Sequence, residues 1–390
     1  MQYRKFGRLE WEVSALGFGC MRLPTKNVAI DEKEATQMLH YAIEHGVNYV
    51  DTAYAYHNGQ SELFVGRALK GAYRAKVKLA TKLPSWLIHE AADFDRYFNE
   101  QLERLQTDMI DFYLLHTLND RWWPKLKELG VLDWLEKQMR HGRIGSAGFS
   151  FHDNYPVFEE IIDAYEWTFC QIQYNYMNIT HQAGLKGLRY AASKGIAVVV
   201  MEPLLGGNLV NPPAPIQALW NSAETPRTPV DWALQWVWNH PEVAVALSGM
   251  STFNQTVENV ESAERSVSGV FTEAELRLVD QVRKKYQALQ PIPCTGCGYC
   301  LPCPQGVAIP VNFDNYNKGF MYDNAAGARG EYSWMAEAHR LGIAPVDGRA
   351  VNCIQCGVCE EKCPQHIPIS QWMPVVHNVL GDEKPYQAAL

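Results

Sequence analysis

The chain has 390 residues, 47% of them hydrophobic, a formal net charge of −8 and ten cysteines. That is ample apolar material for a sizeable core. The acidic balance leaves no basic patch for nucleic acid or an anionic membrane surface, and no apolar run approaches the length of a membrane span. Arg4, Lys5 and Arg8 stand near the N-terminus without a following apolar core of signal-peptide length, so a cytoplasmic protein is expected.

Met1 to Val13 is short, polar and aromatic around Gly7 and reads as a hairpin, and Ser14 to Gly19 reads as a first strand. A helix from Asp31 to His45 follows, with Asp31 as N-cap and Gly46 as its stop. The apolar run Val47 to Val50 then leads into Asp51-Thr52-Ala53-Tyr54-Ala55-Tyr56. After a helix near Glu62 to Leu69, Val77 to Thr81 delivers Lys82; after a helix from Asp93 to Leu105, Ile110 to Leu115 delivers His116. Asp51, Lys82 and His116 are thus about 31 and 34 residues apart, one βα unit each, and would end consecutive parallel strands. In a closed (β/α)8 barrel all three open onto the C-terminal face, joined there by Tyr56. Asn119 to Lys127 reads as a loop beyond His116, before a helix from Val131 to His141. Its Trp122 and Trp123, with Trp86 after Lys82, either brace long loops or wall an apolar substrate pocket.

A tyrosine alone, with a pKa of about 10, is a poor acid or base near neutrality. An ammonium beside it favours the phenolate, a carboxylate holds that ammonium charged, and an imidazole can donate to the oxygen of a bound carbonyl. Four such groups in this order and spacing resemble the aldo-keto reductases, a family of nicotinamide-dependent (β/α)8 barrels with an Asp, Tyr, Lys, His tetrad. The matching motifs are D-T-A-x-x-Y at Asp51 to Tyr56 with Ser61-Glu62 following, T-K at Thr81-Lys82, and L-L-H at Leu114-Leu115-His116. The resemblance implies that Asp51, Tyr56, Lys82 and His116 are catalytic and that the N-terminal hairpin closes the bottom of the barrel.

The resemblance also implies a nucleotide site on the later strands. Arg143 to Ser150 is similar to the family's fifth strand, which makes Ser150 a contact of the nicotinamide amide; Phe151-His152 stand where Asn is usual. Cys170 to Asn175 is similar to the sixth, with Gln171 on the carboxamide. Ile196 to Met201 runs into Glu202-Pro203-Leu204, like the family's Y-S-P-L, which places Met201 where a tyrosine often stacks on the ring and Leu204 beside it. Pro212 to Pro229 reads as a long connection, followed by a helix from Val230 to His240 and a strand from Val243 to Leu247. Gly249 and Gln255 occupy positions where NADPH-specific members carry Lys and Arg, which leaves NADPH and NADH both open. Glu258 and Asn259 match the E-N pair that contacts adenine, or else cap and orient their helix. A helix from Thr272 to Gln287 closes the barrel, and Pro291 and Pro293 mark a boundary.

The chain exceeds the usual barrel by about a small domain, and eight of the ten cysteines lie in that surplus. They form two runs: Cys294, Cys297, Cys300 and Cys303 before Pro304, and Cys353, Cys356, Cys359 and Cys363 before Pro364. Without an export signal such a pattern means metal rather than disulfides. Zinc uses two pairs and has no need of a third cysteine at the same interval. Triplets closed by Cys-Pro resemble the two-cluster [4Fe-4S] ferredoxins, where the fourth cysteine of each run serves the other cluster. Carried over, Cys294, Cys297, Cys300 and Cys363 would hold one cluster, and Cys353, Cys356, Cys359 and Cys303 the other. The first run has one residue fewer before its last cysteine, and about 49 residues separate the runs. Asn312 to His339 is expected to supply helices, and Cys20 and Cys170 to be small core residues.

The expected architecture is an α/β (β/α)8 TIM barrel over residues 1–288, followed by a small α-helical two-[4Fe-4S] ferredoxin-like domain over 289–390. The expected function is reversible hydride transfer between NADPH or NADH and a small-molecule carbonyl or alcohol. The iron–sulfur module would exchange electrons with a redox partner protein or serve structurally. An electron-carrier or sensor subunit whose barrel binds nucleotide is the alternative, and a flavin in the barrel mouth is a third arrangement.

Overall fold

The structure is a computed structural model and describes residues 1–387 and 390. It opens with an antiparallel hairpin, β1 (Tyr3–Lys5) and β2 (Glu12–Ser14). Gly7 turns between them with a φ of 59°, and a Cβ there would lie 2.7 Å from the carbonyl oxygen of Gly195, so only glycine fits. β3 (Leu16–Gly19) is the first barrel strand, trailed by a small ribbon, β4 (Thr25–Lys26) and β5 (Ala29–Ile30). Then come α1 (Glu32–Glu44), β6 (Tyr49–Asp51), α2 (Gln60–Ala68), α3 (Ala72–Lys76), β7 (Lys78–Leu83), α4 (Ala92–Leu105) and β8 (Ile110–Leu118). After α5 (Trp122–Glu128) and α6 (Val131–Arg140) follow β9 (Ile144–Phe151), α7 (Tyr155–Asp163), β10 (Phe169–Gln173), α8 (Gly184–Ser193) and β11 (Ala197–Met201). Finally α9 (Ala214–Asn221) and α10 (Pro229–Trp238) precede β12 (Val243–Gly249), α11 (Phe253–Glu264) and α12 (Glu273–Ala288).

Eight strands close a parallel barrel in the order β3, β6, β7, β8, β9, β10, β11, β12. The expected helix caps form: Asp31 accepts the N–H of Glu34, and Gly46 takes a φ of 97°. The hairpin seals the N-terminal end, where Phe6 packs on Phe112, Phe169, Tyr49 and Trp11 with ring centroids 4.7 to 6.0 Å apart. Gly148 makes room for this plug, since a Cβ there would meet the Phe169 ring at 2.5 Å.

Two stretches expected to be loops are helical. Asn119 to Lys127 holds all of α5 but its last residue, the helix being started by Asn119, whose side chain accepts the N–H groups of Arg121 and Trp122. Pro212 to Pro229 contains α9, in which Pro215 occupies the first turn, where a missing N–H costs nothing.

Residues 1–207 and 230–273 form one compact unit, and 208–229 with 274–390 form a second. The second unit therefore takes in α9 and nearly all of α12. Its later helices, α13 (Ile309–Met321), α14 (Ala325–Arg340) and α15 (Ile369–Leu380), enclose a core of Phe313, Tyr316, Tyr332, Trp372, Met373 and Val376. Among the described residues no helix is long and apolar enough to cross a membrane.

Candidate active site

Side-chain phase along the barrel strands brings the tetrad together. Asp51 pairs with Ala80, and Lys82 is two residues further along the same strand. Lys82 in turn pairs with Leu114, and His116 is two residues beyond that. Because strand side chains alternate, each step of two keeps the same inward face while climbing toward the C-terminal mouth. Ser150 continues the series, two residues past Gly148, the partner of Leu114, and Gln171 pairs with Ser150.

Lys82 is fully buried and its Nζ donates three ways: to Asp51 Oδ1 at 2.6 Å, to the Thr52 carbonyl at 2.8 Å and to Tyr56 Oη at 3.3 Å. The ammonium also lies 4.8 Å from the centre of the Tyr56 ring. His116 stands edge-on to Tyr56 at 6.0 Å between ring centroids, with Trp86 on its other side at 5.2 Å. His116 Nδ1 is buried without a partner. Burial alone would depress the Lys82 ammonium, but Asp51 and Tyr56 outweigh it and hold the lysine charged. Burial pushes the Tyr56 phenol above its ordinary value; the Lys82 charge opposes this without overcoming it. The expected lowering by lysine is therefore only a partial offset, and the phenol keeps its proton at neutral pH. Burial, then the charges of Lys82 and His152, push the His116 imidazole well below its ordinary range and leave it neutral.

The later-strand residues divide by environment. Ser150 is buried and its Oγ accepts the Thr117 N–H at 2.8 Å. Gln171 is buried too, and its Nε2 donates to Asp51 Oδ2 at 2.6 Å. A carboxylate only accepts, so the amide must present its nitrogen there. That leaves Gln171 Oε1 buried with no partner, the acceptor that a carboxamide N–H would satisfy. Met201 and Leu204 are partly buried at the exit of β11. Gly249, Gln255 and Glu258 are exposed, whereas Asn259 is buried and donates to Ser248 Oγ at 2.8 Å, tying α11 to β12. Trp123 is also fully buried, its indole N–H on Glu160, and braces the fold; Trp122 remains partly exposed. Cys20 and Cys170 are buried in the barrel.

The eight remaining cysteines converge on two cavities in the second unit. Cys353, Cys356 and Cys359 line one together with Cys303; Cys294, Cys297 and Cys300 line the other together with Cys363. The two runs are built alike. The N–H of Gly296 donates to Cys294 Sγ at 3.5 Å and that of Gln355 to Cys353 Sγ at 3.4 Å, and the pairs Gly298/Gly357 and Gly306/His366 take matching positive φ. Ile309 and Ile369, each five residues after a Cys-Pro, line both cavities. Among the described residues no three Cys, His, Asp or Glu side chains stand close enough to hold a single metal ion. Four thiols spread around an otherwise apolar hollow fit a [4Fe-4S] cluster, not zinc.

Residues 15–284 match the aldo/keto reductase family, and residues 293–367 match a 4Fe-4S dicluster domain. The chain belongs to the aldo/keto reductase family. It is an oxidoreductase with an iron–sulfur module at its C-terminal side. It is 34% identical over 155 residues to the probable aldo-keto reductase 1 of Glycine max, a match covering 37% of this chain and 44% of that one, so the alignment spans less than half of that relative. It is 27% identical to Protein tas of Escherichia coli over 72% of this chain and 98% of that one. The holo form of aldo-keto reductase AKR11C1 from Bacillus halodurans superposes with a TM-score of 0.62 at 28% identity, covering 72% of this chain and 96% of that one.

In this aldo/keto reductase a further layer lies behind the tetrad. Glu62, fully buried, accepts from Thr81 Oγ1 and Gln101 Nε2, both at 2.6 Å, and from Arg104 at 3.4 Å; the same Gln101 amide donates to the Lys82 carbonyl at 3.0 Å. These bonds fix the strand that carries Lys82. Glu62 stands in a motif of the sequence, but Gln101 sits mid-helix in α4, where only a polar residue on an inward helical face could signal it.

Proposed function

We propose that this reductase carries out reversible hydride transfer between a nicotinamide dinucleotide and the carbonyl or alcohol carbon of a small molecule at the mouth of the barrel. The observation that carries this reading is the fully buried Lys82 ammonium, shared between Asp51 and Tyr56 beside a neutral His116. When bound, the nicotinamide supplies or takes up the hydride. The chain's own residues handle the proton and the developing charge. Tyr56, protonated at rest, gives its phenolic proton to the carbonyl oxygen and takes it back in the oxidative direction. Lys82, held charged by Asp51, stabilises the phenolate left behind. His116 donates a hydrogen bond to the same oxygen and fixes its position.

Ser150 and the free Oε1 of Gln171 hold the carboxamide, Met201 and Leu204 pack against the ring, and Gly249, Gln255, Glu258 and Asn259 line the adenosine end. Trp86 and Trp122 wall the substrate entrance. Cys294, Cys297, Cys300 and Cys363 hold one [4Fe-4S] cluster and Cys353, Cys356, Cys359 and Cys303 the other. Bound there, clusters exchange single electrons, the currency of a redox partner protein. A reducing compartment such as the cytoplasm suits cysteines kept for iron–sulfur clusters rather than disulfides.

Tyr56→Phe is the test. Assayed anaerobically with NADPH and NADH against a panel of aldehydes and ketones, it should bind nucleotide as the wild type does and lose about 10²- to 10⁴-fold in kcat. Unchanged turnover removes the phenol from the chemistry.

A further inference from the structure

Arg22 is the last residue of the short turn Cys20–Arg22 that follows β3, and its backbone is pinned on two sides. Ser251 Oγ donates to the Arg22 carbonyl at 2.8 Å, and the next N–H, that of Leu23, donates to His57 Nε2 at 3.2 Å. From there the side chain runs across the loops after β11 and β12. A Cβ on Gly249 would meet Arg22 Cβ, Cγ and Cδ at 3.2 to 3.5 Å, and a Cβ on Gly206 would meet the guanidinium Nη2 at 3.3 Å. Glycine at both positions lets the side chain lie close, its aliphatic stem over Gly249 and its guanidinium over Gly206. These are the loops after the seventh and eighth barrel strands, the place where (β/α)8 barrels commonly build a phosphate site.

Three backbone donors in this corner are engaged. At the start of α11 the Phe253 N–H donates to Glu34 Oε1 at 3.3 Å and the Gln255 N–H to Thr252 Oγ1 at 3.3 Å; in the loop before it, the Ser251 N–H donates to Gln255 Oε1 at 2.8 Å. An anion at the helix end would also face the Glu34 carboxylate. The Arg22 guanidinium, by contrast, is exposed and has no hydrogen-bond or ion-pair partner among the described residues. A planar fork of donors held over the Gly206 backbone, its stem packed on Gly249 and nothing among the described residues to neutralise it, suits a phosphate.

We propose that Arg22 grips a phosphate of the bound dinucleotide. This rests on the nicotinamide reading above and names the cation that Gly249 and Gln255 do not supply. The phosphate has two sources: the 2′-phosphate, carried by NADPH alone, or the diphosphate, common to both nucleotides. The test titrates the full-length, iron-loaded protein with NADPH and with NADH by fluorescence, for wild type, Arg22→Ala and Arg22→Lys, across a salt series. Because Arg22 is exposed, the variants should keep wild-type iron content and unfolding temperature. Arg22→Ala is expected to weaken binding about ten- to a hundredfold, with Arg22→Lys between and a shallower salt dependence. Loss confined to NADPH identifies the 2′-phosphate, and equal loss with both identifies the diphosphate; either supports the proposal. Wild-type affinity of Arg22→Ala for both nucleotides overturns it while leaving the nicotinamide reading intact. A wild-type protein that binds neither nucleotide overturns that reading, and the proposal with it.

Discussion

The barrel and the C-terminal unit solve the same problem, holding reactive groups in place, by opposite means. In the barrel, reactive side chains stand on strands and hold one another: Gln171 holds Asp51, Asp51 holds Lys82, and Lys82 reaches Tyr56. Behind them Glu62, Thr81 and Gln101 fix the strand. Such mutual support holds charged groups in fixed positions, which is what electrostatic catalysis requires. In the C-terminal unit the eight thiols stand on irregular loops whose turns rely on left-handed residues such as Gly296, Gly298, Gln355 and Gly357. Those loops lean on the helices beside them: Asn312 of α13 bonds the Gly348 carbonyl and the Ala350 N–H, and Ser370 of α15 bonds Glu360. There the ligand organises the site, and its binding free energy becomes folding free energy.

Removing iron is the strongest way to break the comparison. Chelation under oxidising conditions should abolish hydrogen-exchange protection at 293–308 and 349–368 while the barrel strands stay protected, because the cysteine loops are irregular turns around the cluster cavities whereas every barrel strand is paired on both sides. A uniform loss across both units would show that the barrel depends on the clusters too. Single substitutions sharpen the result. Cys303→Ser should remove the same cluster signal as Cys353→Ser, and Cys363→Ser the same as Cys294→Ser, since those pairs share a cavity. Electron paramagnetic resonance spectra that grouped Cys303 with Cys294 would refute the crossed assignment.

A second prediction tests the barrel's self-support. Lys82→Met leaves the Asp51 carboxylate buried with Gln171 as its remaining side-chain donor, and breaking a buried pair in this way costs about 3–5 kcal/mol. Urea unfolding of the barrel should show that loss with iron content unchanged. Adding Asp51→Asn should recover much of it, because the uncompensated charge is then gone. A loss below about 1 kcal/mol would mean that water reaches the pair and screens it.

The same contrast explains what sequence can disclose. The two-residue phase of a strand turns Asp51, Lys82 and His116 inward whatever the loops do, so their convergence follows from spacing alone. Thiol spacing acts likewise: Cys303 lines the cavity of the second run and Cys363 that of the first despite the long separation of the runs, and α13 and α15 each begin five residues after a Cys-Pro. Composition misleads at 119–127 and 212–229, where Pro and polar residues mark a helix's first turn rather than a loop. Contacts between distant strands leave no local trace at all. Gln171 reaches Asp51 across 120 residues, and nothing near Gly249 announces that Arg22 will lie over it.

The smallest expected effect is an absence of pH dependence where histidine chemistry would ordinarily produce one. An imidazole with its ordinary pKa of about 6.5 would be half protonated at that pH. Burial and the neighbouring Lys82 charge push His116 well below this, so the folded protein holds it neutral while the unfolded chain takes up the proton. Its contribution to stability is therefore present above about pH 6.5 and is lost as pH falls from there through the lower folded pKa. For catalysis, kcat/KM should change less than about twofold between pH 7.5 and 6.5, because a neutral His116 remains the hydrogen-bond donor throughout. The ring ¹⁵N shifts of His116 supply the independent check. A His116 midpoint near 6.5 would mean that the mouth of the barrel is wetter than the burial of Lys82 and Asp51 requires, and the self-supporting site would lose its main physical argument.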